Sequence, residues 1–138
     1  MATDKYRIPQ IGKPSDTRVF SLVEAESLLP VVQKLTRRAV IELEPIQLSY
    51  RKYLDCDPRK SQLALDYERV VRSWIRHMQR LGLVVRGLWK VDFDTGDGYL
   101  SWRYPELRLG FFVDLHDPNA VRQSLPETLA KLEPSWAY

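Results

Sequence analysis

The sequence predicts an α+β fold, a long antiparallel two-helix hairpin followed by a small three- to four-stranded antiparallel sheet. Three observations predict it. Apolar residues recur every three or four positions over residues 28–53 and again over 63–81, the period of helices with one buried stripe. A turn at Asp55 to Pro58 separates the two stripes. After Gly82 the period shortens toward two, and Val, Leu, Trp, Tyr and Phe dominate, as they do in strands.

Residues 1–18 show no period and contain Pro9 and Pro14, so they read as an extended N-terminal arm. Ser21, with Glu24 three residues on, forms a capping box, and Phe20 and Ala25 occupy the two positions of a hydrophobic staple. Pro30 lacks an amide donor and crowds the turn before it. The expectation is a short helix near 22–28, then a kink or a restart, with Pro30 in the first turn of the next helix. The first seam runs Leu28, Val32, Leu35, Ala39, Leu43, Ile46, Tyr50 and Tyr53, and Pro45 should bend it. The second runs Leu63, Tyr67, Val70, Trp74, Met78 and Leu81, with Gly82 as a left-handed stop. A short connection leaves two such helices only antiparallel packing. A tight turn at 57–58 would set residue i beside about 115 minus i.

Strands are expected within 83–93 and 99–113. Asp94 to Gly98 is a hairpin turn by composition, and Tyr104-Pro105-Glu106 a second turn. That makes three strands, or four if Leu83–Arg86 pairs separately. The domain then spans 19–117, with the helical hairpin at 22–82 and the sheet at 83–116. A C-terminal tail over 118–138 holds a short helix, capped by Ser124 and Glu127 and running through Leu132. Trp136 and Tyr138 end the chain, either docked or frayed.

With 138 residues, 44% hydrophobic and 28% charged, the chain can bury a core without a disulfide or a metal. One cysteine, Cys56, supports neither an internal disulfide nor a zinc site. The first twenty residues lack the apolar core of a secretory signal. No stretch approaches the roughly 18–20 apolar residues that span a membrane. These features suit a cytoplasmic protein with no cofactor. A net charge of +3 is too small to imply nucleic acid by itself.

Phe20-Ser-Leu-Val-Glu-Ala-Glu-Ser-Leu-Leu-Pro30 resembles the opening signature of the prokaryotic domain-of-unknown-function family 2203. Leu81-Gly82, Val91-Asp92-Phe93, Trp102-Arg103, Glu106 and Arg122-Gln123 are similar to its later landmarks, so the likeness covers roughly residues 18–125. The resemblance implies a bacterial cytoplasmic protein and no established activity, cofactor or catalytic residue. Members tend to carry a histidine after an aromatic pair on the last strand. Here Phe111-Phe112 is followed by Val113, and the nearest histidine is His116.

Three constellations carry chemistry. Arg69, Arg72, Arg76 and Arg80 share one face of the second helix. Antiparallel packing would set Arg76 and Arg80 near Lys34, Arg37 and Arg38, with His77 alongside. The basic face so formed, Lys34, Arg37, Arg38, Arg72, Arg76 and Arg80, suits phosphate or carboxylate. A solvated helix face partly neutralised by Glu42, Glu44 and Glu68 explains the same pattern. Asp92, Arg103 and Glu106 lie within pairing distance on neighbouring strands, as a small polar site or as a structural ion pair. Asp114, His116 and Asp117 are residue types that bind divalent metals, but no further ligand stands at a suitable spacing, and Pro118 favours a plain turn. No Gly-x-Ser-x-Gly and no Gly-rich phosphate loop occurs.

Ile41, Leu48, Val71 and Ile75 widen the apolar stripes beyond one seam, which motivates a homodimer. The leading functional expectation is therefore a non-enzymatic binding or assembly module acting through the hairpin. Its partner would be a second copy or an acidic protein. RNA or phosphate binding through the arginines is the first alternative. A small metal-dependent or acid–base enzyme at Asp92, Glu106, Asp114 or His116 is the second.

Overall fold

The computed structural model describes residues 18–137 apart from 117, 118 and 120. The arm over 1–17, Asp117, Pro118 and Tyr138 lie outside the described residues. Two helices, α1 (Leu22–Lys52) and α2 (Pro58–Arg80), precede a five-stranded sheet and a third helix, α3 (Leu125–Leu132). The strands are β1 (Val84–Gly87), β2 (Lys90–Asp94), β3 (Gly98–Arg103), β4 (Phe111–Asp114) and β5 (Gln123–Ser124). They pair antiparallel in sequence order, a plain meander.

The α1 start is built as its residues dictate. Ser21 Oγ accepts from the Glu24 amide at 3.2 Å, and the Glu24 carboxylate accepts from the Ser21 amide at 3.1 Å. Phe20 and Ala25 are both buried. The helix does not stop at Pro30, however. It is continuous for 31 residues through both Pro30 and Pro45. Both prolines are exposed, as are Glu26 and Ile41, whose carbonyls lose their helical donors. Both prolines therefore stand on the solvent side of the helix, where a lost backbone hydrogen bond costs least.

At the other end of the hairpin, Asp57 caps α2 by accepting from the Arg59 amide at 2.9 Å, and Pro58 takes the first helical position. The helix ends as Gly82 dictates. Its φ is +84°, and the Leu83 and Gly82 amides donate to Met78 and Gln79 carbonyls at 3.1 and 2.9 Å. This is a Schellman closure. A side chain at Gly82 would also strike Arg18, whose amide donates to the Gly82 carbonyl at 3.1 Å.

The hairpin register differs from the expected one by about a turn. Trp74 Nε1 donates to the buried Thr36 Oγ1 at 2.9 Å, and Arg69 lies 3.8 Å from Glu42. The reason is loop placement. α1 runs to Lys52 and α2 starts at Pro58, so the midpoint falls near residue 55 rather than at 57–58.

Residues 83–93 form two strands, the separate pairing near Leu83–Arg86 that the sequence left open, because the chain reverses at Leu88 and Trp89, with Trp89 at φ +59°. Trp89 sets its ring edge against Trp74 at 4.9 Å. The Asp94–Gly98 turn forms as composition predicts, with Gly96 at φ +91°. β5 adds a two-residue edge that no sequence period announces. Ser124 does stand at the α3 N-cap, but its side chain makes no capping bond; its carbonyl instead accepts from Thr128 Oγ1 at 2.9 Å. Trp136 docks, buried and stacked on Phe112 at 5.0 Å.

Alternation along the strands sorts the sheet into two faces. Val91, Phe93, Leu100, Trp102 and Phe112 join the helices in one core. The intervening positions, among them Lys90, Asp92, Tyr99, Ser101, Arg103 and Val113, form the outer face.

Candidate functional site

The outer face holds a cleft of about 340 Å³. Cross-strand register sets its layout. Lys90 lies directly opposite Arg103 at one end. Asp92 lies opposite Ser101 in the next row, and Ser101 opposite Phe111. Tyr99 and Val113 form the row after that, and Asp114 and Leu115 border the far end of the cleft, where β4 finishes. Arg86 enters from β1 at a register break between Val85 and Gly87. Arg122 enters just before β5.

Two ion pairs form the floor. Arg86 Nε donates to Asp92 Oδ2 at 2.8 Å. Arg122 donates to Glu106 through its two terminal guanidinium nitrogens, at 2.7 and 3.1 Å. It also donates to the Ser101 hydroxyl at 3.0 Å and to the Ser101 carbonyl at 3.2 Å. Its plane covers the Phe111 ring at 4.0 Å, as Arg86 covers Tyr99 at 4.8 Å. Each guanidinium is thus fixed by a carboxylate and by an aromatic face.

Asp92 is the buried member, with its side chain 9% exposed against 48% for Arg86. Burial pushes its pKa up, and the Arg86 ion pair, the Ser101 hydrogen bond and the Arg122 charge only partly offset this. Burial works against the Arg86 cation too, but there the Asp92 hydrogen bond and charge prevail and its pKa is raised. The two directions disagree about whether this pair favours its ions. The deeper group bears more desolvation, so the net cost falls on the carboxylate.

Lys90 and Arg103 behave differently. Both side chains are exposed, and neither forms an ion pair among the described residues. Like charges directly opposite each other on paired strands repel. The fold therefore holds two cations together at the cleft mouth without neutralising them, while it neutralises the two beneath.

Sequence reasoning had Asp92, Arg103 and Glu106 as one polar group. Asp92 and Arg103 do line one cleft, and Glu106 reaches it through Arg122. They do not pair with one another as guanidinium and carboxylates; the Arg103 amide, not its side chain, donates to Glu106 at 2.8 Å. The true partners, Arg86 and Arg122, were missed as site residues. The late Arg122-Gln123 landmark was the only signal for either.

The basic face of the hairpin is arranged less simply. Arg72, Arg76 and Arg80 are exposed, and Arg72 pairs with Glu68 at 2.5 Å. Arg38 lines a small groove with Glu42, Arg69 and His77. Arg37 stands one turn after Gln33, whose amide donates to the Glu106 and Leu107 carbonyls at 3.3 and 3.2 Å. Arg37 therefore shares the flank of α1 that faces the β3–β4 loop, away from Arg38. Lys34, Arg37, Arg38, Arg76 and Arg80 form no ion pair among the described residues.

β4 ends at Asp114, and the His116 amide donates to Asp114 Oδ1 at 2.9 Å, so these two form a turn. Among the described residues, no group of three or more His, Cys, Asp or Glu gathers around a metal-sized space. Cys56 is exposed in the inter-helix loop. Among the described residues, no helix is long and apolar enough to cross a membrane.

A family model described as "Uncharacterized conserved protein (DUF2203)" matches residues 18–125. The chain belongs to the DUF2203 family. The matched span starts at Arg18, which pairs with Glu24 at 2.8 Å, and ends at Leu125, so it takes in the hairpin, the whole sheet and every cleft residue. No curated protein and no solved structure matches this DUF2203 chain.

Proposed function

We propose that the protein is a non-enzymatic binding module whose ligand seat is the outer cleft of the sheet, and that the ligand presents an anionic group. The supporting observation is the Lys90–Arg103 pair, two cations held side by side without a carboxylate partner among the described residues. A phosphate or carboxylate between them relieves their repulsion and gains charge-assisted hydrogen bonds. Binding rather than turnover fits the rest of the cleft. Arg86 and Asp92 are committed to each other, and Arg122 to Glu106 and Ser101.

Amide chemical shifts during titration with inorganic phosphate and with acetate test this reading. Shifts should concentrate at Lys90 and Arg103, weaken with added salt, and vanish in a Lys90→Ala, Arg103→Ala double variant. Shifts spread evenly over the surface, or unchanged in the double variant, would sink it.

The hairpin supplies a second reading, an acidic protein, RNA or second-copy partner. It is favoured by the exposed cations Lys34, Arg38, Arg76 and Arg80 and by Ile41 and Leu48, which stay 57% and 52% exposed on α1. Val71 and Ile75, the matching residues of α2, are buried or packed on the core instead. Steep loss of binding with salt marks phosphate recognition; insensitivity marks an apolar interface.

A further inference from the structure

We infer that the cleft takes an amphipathic anion, a small molecule whose phosphate or carboxylate head meets Lys90 and Arg103 and whose apolar body lies along Tyr99, Val113 and Leu115. This rests on the anion-seat reading of the same cleft and adds what the ligand carries behind its charge.

Strand alternation puts both ends of this site on one face. Tyr99, Ser101 and Arg103 alternate along β3 with the buried Leu100 and Trp102, so all three project outward. Lys90 stands across from Arg103 and Val113 across from Tyr99, and all four line the cleft. Leu115 lines it too and stays 49% exposed. One end thus holds two cations with no ion pair among the described residues, and the other holds a ring and two aliphatic side chains. Arg86 reaches the second end, over the Tyr99 ring, but is already paired with Asp92. The row between the ends is low, since Asp92 and Ser101 are both buried. Its polar groups are bonded, Asp92 to Arg86 and Ser101 to Arg122, so an apolar chain crossing it strands none of them. The cleft, about 340 Å³, has the size of a small-molecule site. Arg103 and Tyr99 stand four residues apart on β3, roughly 14 Å at about 3.4 Å per residue, and the long cation side chains bridge part of that. An extended chain advances about 1.2 Å per bond, so a body of about six to eight carbons fills the rest. A bare phosphate uses one end of this cleft only.

NMR titration with methyl, butyl and hexyl phosphate, and with hexanol, tests the inference. Affinity should rise about twofold per added methylene, half the free-energy gain of a fully buried one, because Tyr99, Val113 and Leu115 are only partly buried. Hexyl phosphate should therefore bind about thirtyfold tighter than methyl phosphate. Amide shifts should spread from Lys90 and Arg103 to Tyr99, Val113 and Leu115, and hexanoate should bind there more tightly than acetate. Leu115→Ser, which trims an exposed side chain, should shrink the gain with chain length and leave methyl phosphate unchanged. Lys90→Ala should weaken every phosphate by a similar factor. If affinity is flat from methyl to hexyl while both shift Lys90 and Arg103, the apolar body is excluded and the anion seat stands. If chain length strengthens binding but the added shifts fall on the hairpin, the apolar body is likewise excluded from the cleft. Binding to phosphatidic acid vesicles without binding to soluble hexyl phosphate would mark a lipid surface and overturn the small-molecule ligand. If hexanol binds as well as hexyl phosphate and Lys90→Ala changes nothing, or if no probe perturbs the cleft, both readings fall.

Discussion

The two faces of the sheet are made by the same strands, residue by residue, and they solve opposite problems. On the inner face Val91, Phe93, Leu100 and Trp102 are fully buried against the helices. Nothing there needs a partner beyond shape, except Trp102, whose indole donates to the Glu106 carbonyl at 2.8 Å. On the outer face Asp92 is almost as buried, at 6% exposed, yet it carries a carboxylate. Its burial is held in place by Arg86, Ser101 and, at longer range, Arg122. One face gains free energy from leaving water; the other spends part of that gain to keep charges at fixed positions. The difference separates what holds this fold together from what fixes charges at set positions on its outer face.

The largest effects should come from the inner face. Phe93→Ala removes a fully buried ring that packs edge-on against Phe20 at 5.3 Å, and should cost about 3–5 kcal/mol in urea unfolding. A loss under about 1 kcal/mol would show that the core is not where the comparison puts it. Arg122→Ala should cost less, about 1–3 kcal/mol, because its side chain and that of Glu106 are 16% and 26% exposed and water can partly replace the pair. Arg122→Lys should recover only part, since an ammonium cannot meet both carboxylate oxygens and Ser101 together. Equal stability of the Ala and Lys variants would mean that the planar fork is not what matters.

Smaller still is a pH effect with a definite sign. The folded pKa of Asp92 is raised above the unfolded value of about 3.9. Its contribution to stability is therefore complete below that unfolded value and is lost as pH rises through the folded one. Glu24, Asp55 and Asp57 have lowered values, chiefly through hydrogen bonds from the Ser21 amide, Lys60 and Arg59 respectively, and act in the opposite direction. The useful quantity is thus the difference between the parent chain and Asp92→Asn, measured by urea unfolding from pH 3 upward. The parent should lose stability relative to the variant as pH rises. A difference that grows the other way would mean that Arg86 outweighs burial.

Local signals were legible because short-range geometry carries them. Ser21 with Glu24, and Gly82, each act within one turn of helix, and each acts as its residue type requires. Pro30 misled because the cost of a proline depends on its surroundings, and Pro30 sits on the exposed side of a helix whose buried stripe runs on through Leu29 and Val32. The site was half legible for a similar reason. Asp92 and Arg103 occupy strand positions whose facing follows from alternation. Arg86 reaches Asp92 only because the β1–β2 register breaks between Val85 and Gly87, and Arg122 reaches Glu106 only because the chain returns as β5. Neither long-range fact is written in a period or a motif. The arginine row on α2 was legible as an exposed face, but which α1 cations join it depended on where the hairpin turned.

The smallest expected change in stability is the most telling for function. Lys90→Glu sets a carboxylate directly opposite Arg103, turning a like-charge pair into an attractive one. Cross-strand pairs of opposite charge contribute roughly 0.2–1 kcal/mol, so the variant should be as stable as the parent or slightly more. On the inner face a charge-introducing substitution should instead cost stability, because the side chains there are fully buried. Natural proteins rarely sit at their stability optimum, so a gain in stability does not mark function by itself and the ligand readout decides. If Lys90→Glu also abolishes the phosphate-induced shifts, the repulsion between Lys90 and Arg103 is the cost of an anion seat. If the variant is markedly destabilised instead, Lys90 serves the fold through its stem, and the outer face is structural after all.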